Sequence, residues 1–355
     1  MKFNKTLNQK LVIVLLLSFC SVIFAQKPYR VGTTTANFLE IGFGPAGSSM
    51  GDAFTSIASD VSAIYWNPAG LANVKSGEVM FSYQPWVANI NTTFGAAAFN
   101  VGNLGTVGIG VIAVDYGNMD VTTMSMQGGT GETFSASDIA VSIGFARKLA
   151  TWFSFGANAK FISSSIWHSS ASAIAMDLGV LINTGFFSST ENMEDGLNIG
   201  MSVSNYGTRM QFDGLDLLQS IDPTPNQSGD YEDIEGQYRL NEYELPLIFR
   251  LGVSLTVINS GMHKLILAVD ALHPNNNSES VNMGANYSIL FAGLGSISIS
   301  GGYKALFMNE SQYGLTLGAG FQSFLLYNKG WKIDYSYRDH ETFGGTHSYG
   351  VSLFF

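Results

Sequence analysis

The residues best suited to bind a metal ion lie in one acidic stretch near the middle of the chain. Residues 207–244 carry Asp213, Asp216, Asp222, Asp230, Glu232, Asp233, Glu235, Glu242 and Glu244. Calcium prefers carboxylate oxygens, but EF-hand loops place them at alternate positions around a central glycine. That spacing is missing, so we predict no metal site and interpret the stretch as a solvated surface loop. Its charge and length favour contact with a protein partner. The residues expected to make that contact are Asp213, Asp216, Asp230, Glu232, Asp233 and Glu235.

Histidines and a glycine-rich stretch offer other chemistry. His340 and His347 lie near acidic residues, but zinc needs three or four converging ligands and no spacing here enforces them. Residues 42–47 spell G-x-G-x-x-G, yet a dinucleotide site needs a strand–turn–helix unit and Pro45 interrupts the turn. His168 lies in a serine-rich neighbourhood, but the sequence indicates no third group to orient it. We therefore predict no catalytic residue, no cofactor and no metal, and we expect a protein that is not an enzyme.

The elements that must position any site are β-strands, and the clearest of them ends the chain. Over residues 345–355, apolar side chains occupy every second position, with small or polar ones between them in most places. Such a strand suits a barrel wall with lipid outside and a polar lumen inside. A terminal aromatic preceded by alternate apolar residues also resembles the signal that the barrel assembly machinery of the bacterial outer membrane reads. We expect that signal to comprise Tyr349, Val351, Leu353 and Phe355.

Residues 1–25 predict a cleavable signal peptide. A basic region precedes an apolar stretch over 11–24, and Ala25 supplies a small residue for cleavage. The stretch is too short to be a membrane-spanning helix. A lipoprotein alternative depends on Cys20, but Phe19 is bulky for the position before a lipid-modified cysteine. Cleavage after Ala25 would leave an exported chain without cysteine, and therefore without disulfides.

Composition agrees with a membrane barrel. Only 12% of the 355 residues are charged, where soluble proteins carry about 25%. The chain has 40 glycines and 13% aromatic residues, which suit a wall with lipid outside and a tight lumen. A net charge of −10 argues against nucleic acid as a partner. No further run of 18 apolar residues predicts a spanning helix, and a secreted soluble β-sandwich remains the alternative.

Period-two hydrophobic patterns predict fourteen strands, an even number as in bacterial single-chain barrels. The predicted strands are 77–86, 92–101, 105–116, 137–148, 151–165, 172–186, 196–206, 245–258, 263–272, 279–290, 296–305, 312–324, 330–338 and 346–355. With both chain ends in the periplasm, odd-numbered connections are extracellular, and the two longest, 207–244 and 117–136, are odd-numbered. Short even-numbered connections are 102–104, 149–150, 259–262 and 291–295. The sequence therefore predicts an all-β fold, a 14-stranded antiparallel transmembrane β-barrel over 77–355, in the bacterial outer membrane.

Residues 26–76 precede the predicted barrel and lack strand alternation. Asp60 is placed to cap a short helix over 61–66, Pro68 must end that helix, and Gly70 permits a reversal into the first strand. Low charge and apolar content argue against a disordered tail. We therefore predict an N-terminal hatch, or plug, folded into the lumen. The side chains expected to meet the inner wall are Ile64, Trp66 and Leu71.

A motif within this segment resembles the amino-terminal signature of the PorV/PorQ family. The residues that carry the resemblance include Met50, Gly51, Asp52, Asp60, Trp66, Asn67, Pro68, Ala69 and Gly70. It implies a fourteen-stranded barrel related to the FadL fatty-acid transporters, whose hatch shares the Asn-Pro-Ala element. It also implies a role in type IX secretion, in which PorV-like barrels carry cargo proteins to surface attachment. Family members commonly have arginine at the position of Gly47, which implies that a charge contact between hatch and wall is missing here.

Two functions from different classes remain. The first is a non-enzymatic barrel that binds and shuttles secreted cargo proteins through loops 207–244 and 117–136, with the hatch sealing the lumen. The second is a FadL-like channel for small hydrophobic compounds, which requires an apolar lumen site and a lateral gap at a kinked strand. Glycines that would permit such a kink are Gly102, Gly105, Gly108 and Gly110. A closed structural barrel is a third interpretation. Expected partners are outer-membrane lipid, the barrel assembly machinery, and either secretion-system or cargo proteins or a hydrophobic small molecule.

Overall fold

The computed structural model of the protein describes residues 30–188, 190, 192–222, 226, 234–326 and 329–355. The predicted signal peptide lies outside the described residues, as do Asp230, Glu232 and Asp233. Fourteen antiparallel strands form the wall. They are β1 (Gly77–Pro85), β2 (Asn91–Asn100), β3 (Thr106–Asp120), β4 (Thr133–Ala150), β5 (Phe153–Ile166), β6 (Ser169–Asn183), β7 (Leu197–Gly207), β8 (Ile248–Asn259), β9 (His263–Pro274), β10 (Ser280–Phe291), β11 (Gly295–Leu306), β12 (Tyr313–Leu326), β13 (Lys329–His340) and β14 (Gly344–Phe354).

The first and last strands close the wall into a barrel. Glu78 of β1 pairs with Phe354 of β14, and the backbones of Gly77 and Phe355 exchange two hydrogen bonds of 2.9 Å. Each remaining strand pairs with its neighbours in sequence. A closed sheet leaves no free edge, which is the condition for a sheet in lipid. The predicted all-β, fourteen-stranded antiparallel barrel is confirmed.

Side chains alternate between a lipid-facing surface and a filled interior. In β14, the exposed fractions of Tyr349, Val351 and Leu353 are 51%, 48% and 54%, whereas Ser348 and Ser352 are buried. The same period continues around the wall, so large apolar side chains cover the outside. This is the outward-apolar pattern predicted for the last strand. Its role as an assembly signal stays a prediction.

Short helical pieces make up much of the segment before β1. They are α1 (Pro45–Ser49), α2 (Ala63–Trp66) and 3₁₀ helices at Asn37–Glu40 and Pro68–Asn73. None of the helices in the described residues is long and apolar enough to cross a membrane. The N-terminal segment therefore contributes compact turns to the interior of the molecule.

Two local predictions for this segment need correction. The predicted helix over 61–66 begins at Ala63, and the Asp60 carboxylate accepts a 3.0 Å hydrogen bond from the Ser62 N–H. Pro68 does follow the end of α2, but it opens the next 3₁₀ helix, because proline suits the first position of a helix. Gly70 lies inside that helix and makes no reversal. A Cβ at Gly70 would lie 2.2 Å from the Ala58 carbonyl oxygen, so close packing requires this glycine.

The two rims of the barrel differ. The long-loop rim carries the longest connection, 208–247, and also 121–132, whereas the tight-turn rim carries 184–196 and short connections such as 260–262 and 292–294. The N-terminal segment enters β1 at the tight-turn rim, but the Thr35 N–H donates to the Glu244 carbonyl at the long-loop rim, at 3.0 Å. The segment therefore extends between the rims. The expectation that both chain ends lie on one side holds for the two closing strands and not for residues 30–35.

Glycines on the inner wall let the backbone of the N-terminal segment lie directly against the strands. A Cβ at Gly200 would lie 2.3 Å from the Thr55 carbonyl oxygen, and one at Gly284 would lie 2.4 Å from that of Met50. Real Cβ atoms do not approach so closely, so only glycine fits. Further wall glycines whose Cβ would crowd this segment are Gly108, Gly110, Gly144, Gly156, Gly179, Gly252, Gly302, Gly318 and Gly350.

The expected kink at the third strand is wrong. β3 pairs with β2 without interruption from Thr106 to Asp115. A Cβ at Gly110 would lie 3.1 Å from the Ile64 side chain, so Gly108 and Gly110 make room for the N-terminal segment. Gly102 and Gly105 occupy the turn before β3, where both have positive φ. No lateral gap opens at these glycines.

We expect Gly200→Ala to weaken the packing of the N-terminal segment against the wall. Overpacking of this kind costs about 1–3 kcal/mol. Gly95→Ala is the matched control, since its Cβ would lie 4.0 Å from its nearest neighbour. The urea concentration at which the detergent-solubilised barrel loses its heat-modifiable electrophoretic mobility measures the effect. An equal shift in both variants would contradict the close-packing explanation.

Candidate functional site in the barrel lumen

A buried cluster of charges joins the N-terminal segment to the wall. The Asp52 carboxylate lies 2.6 Å from the Arg338 guanidinium and 2.7 Å from the Lys304 ammonium. Both cations also donate to the Ile41 carbonyl, at 2.6 Å and 3.3 Å. All three charged side chains are buried. The predicted absence of a charge contact between hatch and wall is therefore wrong.

The local backbone explains how Asp52 reaches the wall. Gly51 and Asp52 both adopt positive φ, at 65° and 64°, directly after α1. A Cβ at Gly51 would lie 2.7 Å from the backbone nitrogen of Tyr303, so this turn rests on β11. A Cβ at Gly42 would lie 2.7 Å from the Asp52 carboxylate. Two glycines thus give the carboxylate room to meet both cations.

The space beside Gly47 is filled by an indole ring. A Cβ at Gly47 would lie 2.6 Å from the Trp66 ring, and Trp66 is buried against Phe54 and Tyr65. No side chain larger than hydrogen fits there without moving the tryptophan. The charge contact is made from Asp52 instead.

The rest of the predicted hatch motif also lies against the wall. The Asn67 side-chain amide donates to the carbonyls of Thr55 and Val180, at 2.8 Å and 3.0 Å. Pro68 and Ala69 lie over wall glycines, and Met50 is buried. Asp60 stands apart, at 3.7 Å from the Lys332 ammonium near the tight-turn rim.

Wall side chains that the sequence motif does not include hold the same segment. The Asp270 carboxylate accepts hydrogen bonds from the Phe54 and Thr55 N–H groups, at 3.0 Å and 2.9 Å. The Asn158 amide donates to the Ile64 carbonyl at 2.6 Å. Hydrogen bonds to a charged acceptor contribute about 1.5–3 kcal/mol each. Several separate strands thus fix the segment in place.

A cavity of about 100 Å³ lies beside the buried charges, below the long-loop rim. The Lys304 ammonium lies 4.0 Å from the centroid of the Tyr313 ring. Arg250 donates to the Ser204 hydroxyl at 2.9 Å, and its guanidinium lies 6.0 Å from the Tyr65 ring centroid. Apolar lining is supplied by Trp66, Ile248, Leu272, Pro274, Ala305 and Met308. The site combines cationic and aromatic groups with an apolar surface.

The ladder between two wall strands ends next to this cavity. Pairing between β11 and β12 ends at Tyr303 with Leu315, although β11 continues to Leu306 and β12 begins at Tyr313. Leu306 and Tyr313 still pair with the strands on their other sides. We call the strand ends that do not pair with each other, 304–306 and 313–314, the β11–β12 gap. Ala305, at this gap, has a positive φ of 59°. The cavity is lined from both sides of the gap.

The acidic loop is organised by a clasp on the β5–β6 turn. The Asp216 carboxylate accepts hydrogen bonds from the His168 backbone and ring, both at 2.9 Å, and from the Ser169 hydroxyl at 3.1 Å. Asp213 accepts a hydrogen bond from the Gln237 amide. Glu235 lies on a short strand, Glu235–Gln237, that pairs with Leu218–Ser220. Asp213, Asp216 and Glu235, the described residues that were expected to contact a partner, therefore each take part in a different local structure.

This loop supplies the third group that the sequence did not indicate for His168, but the geometry is not that of a nucleophile. The Ser169 hydroxyl donates to the Asp216 carboxylate, whereas a catalytic serine donates to the histidine ring. Among the described residues, no three His, Cys, Asp or Glu side chains converge to hold a metal ion. The clasp is a structural contact between a turn and a loop.

No protein-family model matches the chain, and no curated protein matches it. Solved structures do resemble it. The toluene transporter TbuX of Ralstonia pickettii is 10% identical with a TM-score of 0.53, over 88% of this chain and 97% of that chain. The Pseudomonas putida toluene transporter TodX gives the same values. A TodX deltaS2S3 mutant, a monoaromatic hydrocarbon channel, has a TM-score of 0.57 at 10% identity, over 88% and 98% of the two chains. The chain shares the barrel fold of these three structures. At this identity the similarity extends to the fold alone.

Sequence reasoning missed the wall partners of the motif. Lys304 and Arg338 occupy inward positions of the strand alternation, and both are buried. A cation at an inward position of a lipid-embedded strand needs a buried partner. That rule would have indicated a carboxylate in the N-terminal segment, although it would not have selected Asp52.

We expect Asp52→Asn to destabilise the protein by about 3–5 kcal/mol, because it leaves two buried cations without their counter-charge. Glu194→Gln is the control, since Glu194 pairs at 3.6 Å with Lys148 in an exposed position, where such pairs contribute about 0–1 kcal/mol. Urea unfolding in detergent, followed by tryptophan fluorescence, compares the two variants. Equal effects would show that the Asp52 cluster does not stabilise the fold.

The clasp makes the acidic loop sensitive to pH. Removal of water acts to raise the pKa of Asp216, but the hydrogen bonds from His168 and Ser169 outweigh it and hold this pKa below its ordinary value of 3.8. A lowered pKa in the folded state means that the clasp stabilises the loop above pH 3.8 and is lost as the pH falls through the folded value. We expect a fluorophore on Leu215→Cys to gain mobility over that acidic range. Asp216→Asn should remove the transition, and an unchanged transition in that variant would exclude the clasp as its cause.

Proposed function

We propose that the protein is a bacterial outer-membrane channel for small hydrophobic compounds. The observation that carries this proposal is the shared barrel fold, which extends over 88% of the chain in the comparison with the toluene transporter TbuX. Monoaromatic hydrocarbons, which the similar channels take, are the first compounds to test. The apolar outer surface of the wall fits a position in membrane lipid.

In this proposal, the long-loop rim faces the cell exterior and the tight-turn rim faces the periplasm, as in other outer-membrane barrels. Export would depend on the predicted signal peptide over 1–25. The N-terminal segment acts as a hatch, since it fills the lumen and several strands bond to it. A filled lumen prevents free diffusion of water-soluble compounds.

The β11–β12 gap provides the route for a hydrophobic solute. A compound that enters from the long-loop rim reaches the lumen cavity, whose lining contains Lys304, Ala305 and Tyr313 from both sides of the gap. From there it leaves sideways into the lipid, without passing the hatch. The exposed side chains of Tyr303, Phe307 and Leu315 give the gap an apolar outer border. We therefore place the lateral route at the β11–β12 gap and not at β3, where the wall is continuous.

A cargo-binding role in type IX secretion is a second candidate. It rests on the hatch motif over 50–70 and on the apolar side chains that the long loop exposes, among them Leu215, Ile221 and Tyr238. None of the three solved structures named above is described as an export component. Solute uptake into liposomes without any cargo protein separates the two functions.

A reversible engineered disulfide across the gap, called the staple below, tests the channel proposal. Continuing the register beyond Tyr303 and Leu315 places Ala305 opposite Tyr313. We expect oxidised Ala305→Cys/Tyr313→Cys protein in liposomes to take up labelled toluene at least about tenfold more slowly than the same protein after reduction, because the disulfide closes the lateral route.

The control staple lies within the closed part of the same ladder. Ile299 and Ala319 are directly paired, so oxidation of Ile299→Cys/Ala319→Cys should leave uptake unchanged. Absence of any protein-dependent uptake would refute the channel function. Uptake that is insensitive to the staple at the gap would refute the lateral route.

A further inference from the structure

Arg250 is a buried cation without an ion-pair partner among the described residues. Its residue is 4% exposed, and one guanidinium nitrogen donates to the Ser204 hydroxyl at 2.9 Å. An arginine has five N–H donors. A buried charge whose donors are only partly used is costly unless a further acceptor binds. Because Arg250 lines the lumen cavity, the missing acceptor has room there.

A second donor in the same cavity is also free. Asn282 is 1% exposed, and its side-chain oxygen accepts a 2.8 Å hydrogen bond from the Ala305 N–H. That bond fixes the orientation of the amide and leaves the Nδ2 group buried without a partner. Buried polar groups in folded proteins nearly always have partners. Asn282 therefore marks the cavity as a place where an acceptor belongs.

The other charged groups near the cavity do not supply that acceptor. Asp52 is engaged by Lys304 and Arg338. The Glu40 carboxylate accepts a 3.0 Å hydrogen bond from the Asn276 amide. The Asp270 carboxylate, also near Arg250, is engaged by the Phe54 and Thr55 N–H groups. Among the described residues, none of these three carboxylates forms an ion pair with Arg250.

We propose that the lumen cavity binds a small monocarboxylate, held by Arg250 and Asn282. The guanidinium fork matches the two oxygens of a carboxylate, and the apolar lining from Trp66, Leu272 and Met308 fits a short hydrocarbon body. A volume of about 100 Å³ is smaller than the ~150 Å³ cavity known to hold benzene. The site therefore suits a compact acid and excludes a long acyl chain.

The assignment rests on the proposed function, since it names the class of solute that the channel selects. A neutral hydrocarbon would leave Arg250 and the Asn282 Nδ2 group unpaired, so we expect the cavity to bind a small acid more tightly than a hydrocarbon of similar size. Glu40 lines the same cavity and would repel an anion. Replacing Glu40 should therefore strengthen carboxylate binding, whereas replacing Arg250 should weaken it.

Equilibrium dialysis of the purified protein in detergent, with labelled acetate and butyrate, tests the site without transport. We expect Arg250→Gln to weaken binding at least about tenfold, in line with the loss of hydrogen bonds to a charged group. Asn282→Leu should weaken binding about threefold or more, and Glu40→Gln should strengthen it. Arg209→Gln, at an exposed position on the long-loop rim, should leave it unchanged. Heat-modifiable mobility verifies that each variant is folded.

Wild-type protein that binds toluene or decanoate but neither small acid would overturn the proposal, as would binding that is equal in wild type, Arg250→Gln and Asn282→Leu. The comparison of toluene, decanoate and the small acids uses wild-type protein, so its result does not depend on the folding of any variant. Failure of the carboxylate site alone leaves protein-dependent toluene uptake in liposomes intact. Carboxylate binding without uptake of any solute supports the site and refutes the channel.

Discussion

Contact between the backbone of the N-terminal segment and the inner wall is the constraint on which the structure depends. Residues 45–69 lie so close to the strands that the wall carries glycine where they touch, as at Gly200 and Gly284. Wall and segment therefore specify each other. A side chain at these positions would displace the segment, and without the segment the glycines would leave a void. The abundance of glycine in the sequence thus has a packing explanation in addition to the general flexibility of barrels.

The buried charges follow from the same contact. Because the lumen is filled, inward polar side chains exchange hydrogen bonds with the segment in place of water. Asp270 bonds two N–H groups, and Arg338 bonds Asp52 and the Ile41 carbonyl. Paired buried charges add little net stability but are costly to separate. They therefore hold one position of the segment against alternatives, which is the property that a hatch requires.

Local patterns predicted the wall well, and long-range contacts account for what they missed. Strand alternation identified every barrel strand, because one face meets lipid and the other a packed interior. The motif over 50–70 predicts a reversal at Gly70, which is wrong because the Ala58 carbonyl that requires glycine lies outside the pattern of a turn. Asp52 and Arg338 are separated by 286 positions, and no periodicity relates them. The glycines Gly108 and Gly110 suggest a kink in β3 when only the local sequence is considered. Their actual contact, the Ile64 side chain, is distant in sequence and cannot be inferred from the local pattern.

A filled lumen also restricts how any solute can pass. In the proposed channel, the N-terminal segment would block an axial pore, so the solute would enter from one rim and leave through the wall. Next to the lumen cavity, pairing between β11 and β12 ends before the two strands do. The same cavity contains donors that a pure hydrocarbon cannot satisfy, at Arg250 and Asn282. A solute with an apolar body and one carboxylate meets both requirements, because its charge is paired inside the barrel while its hydrocarbon part faces the gap.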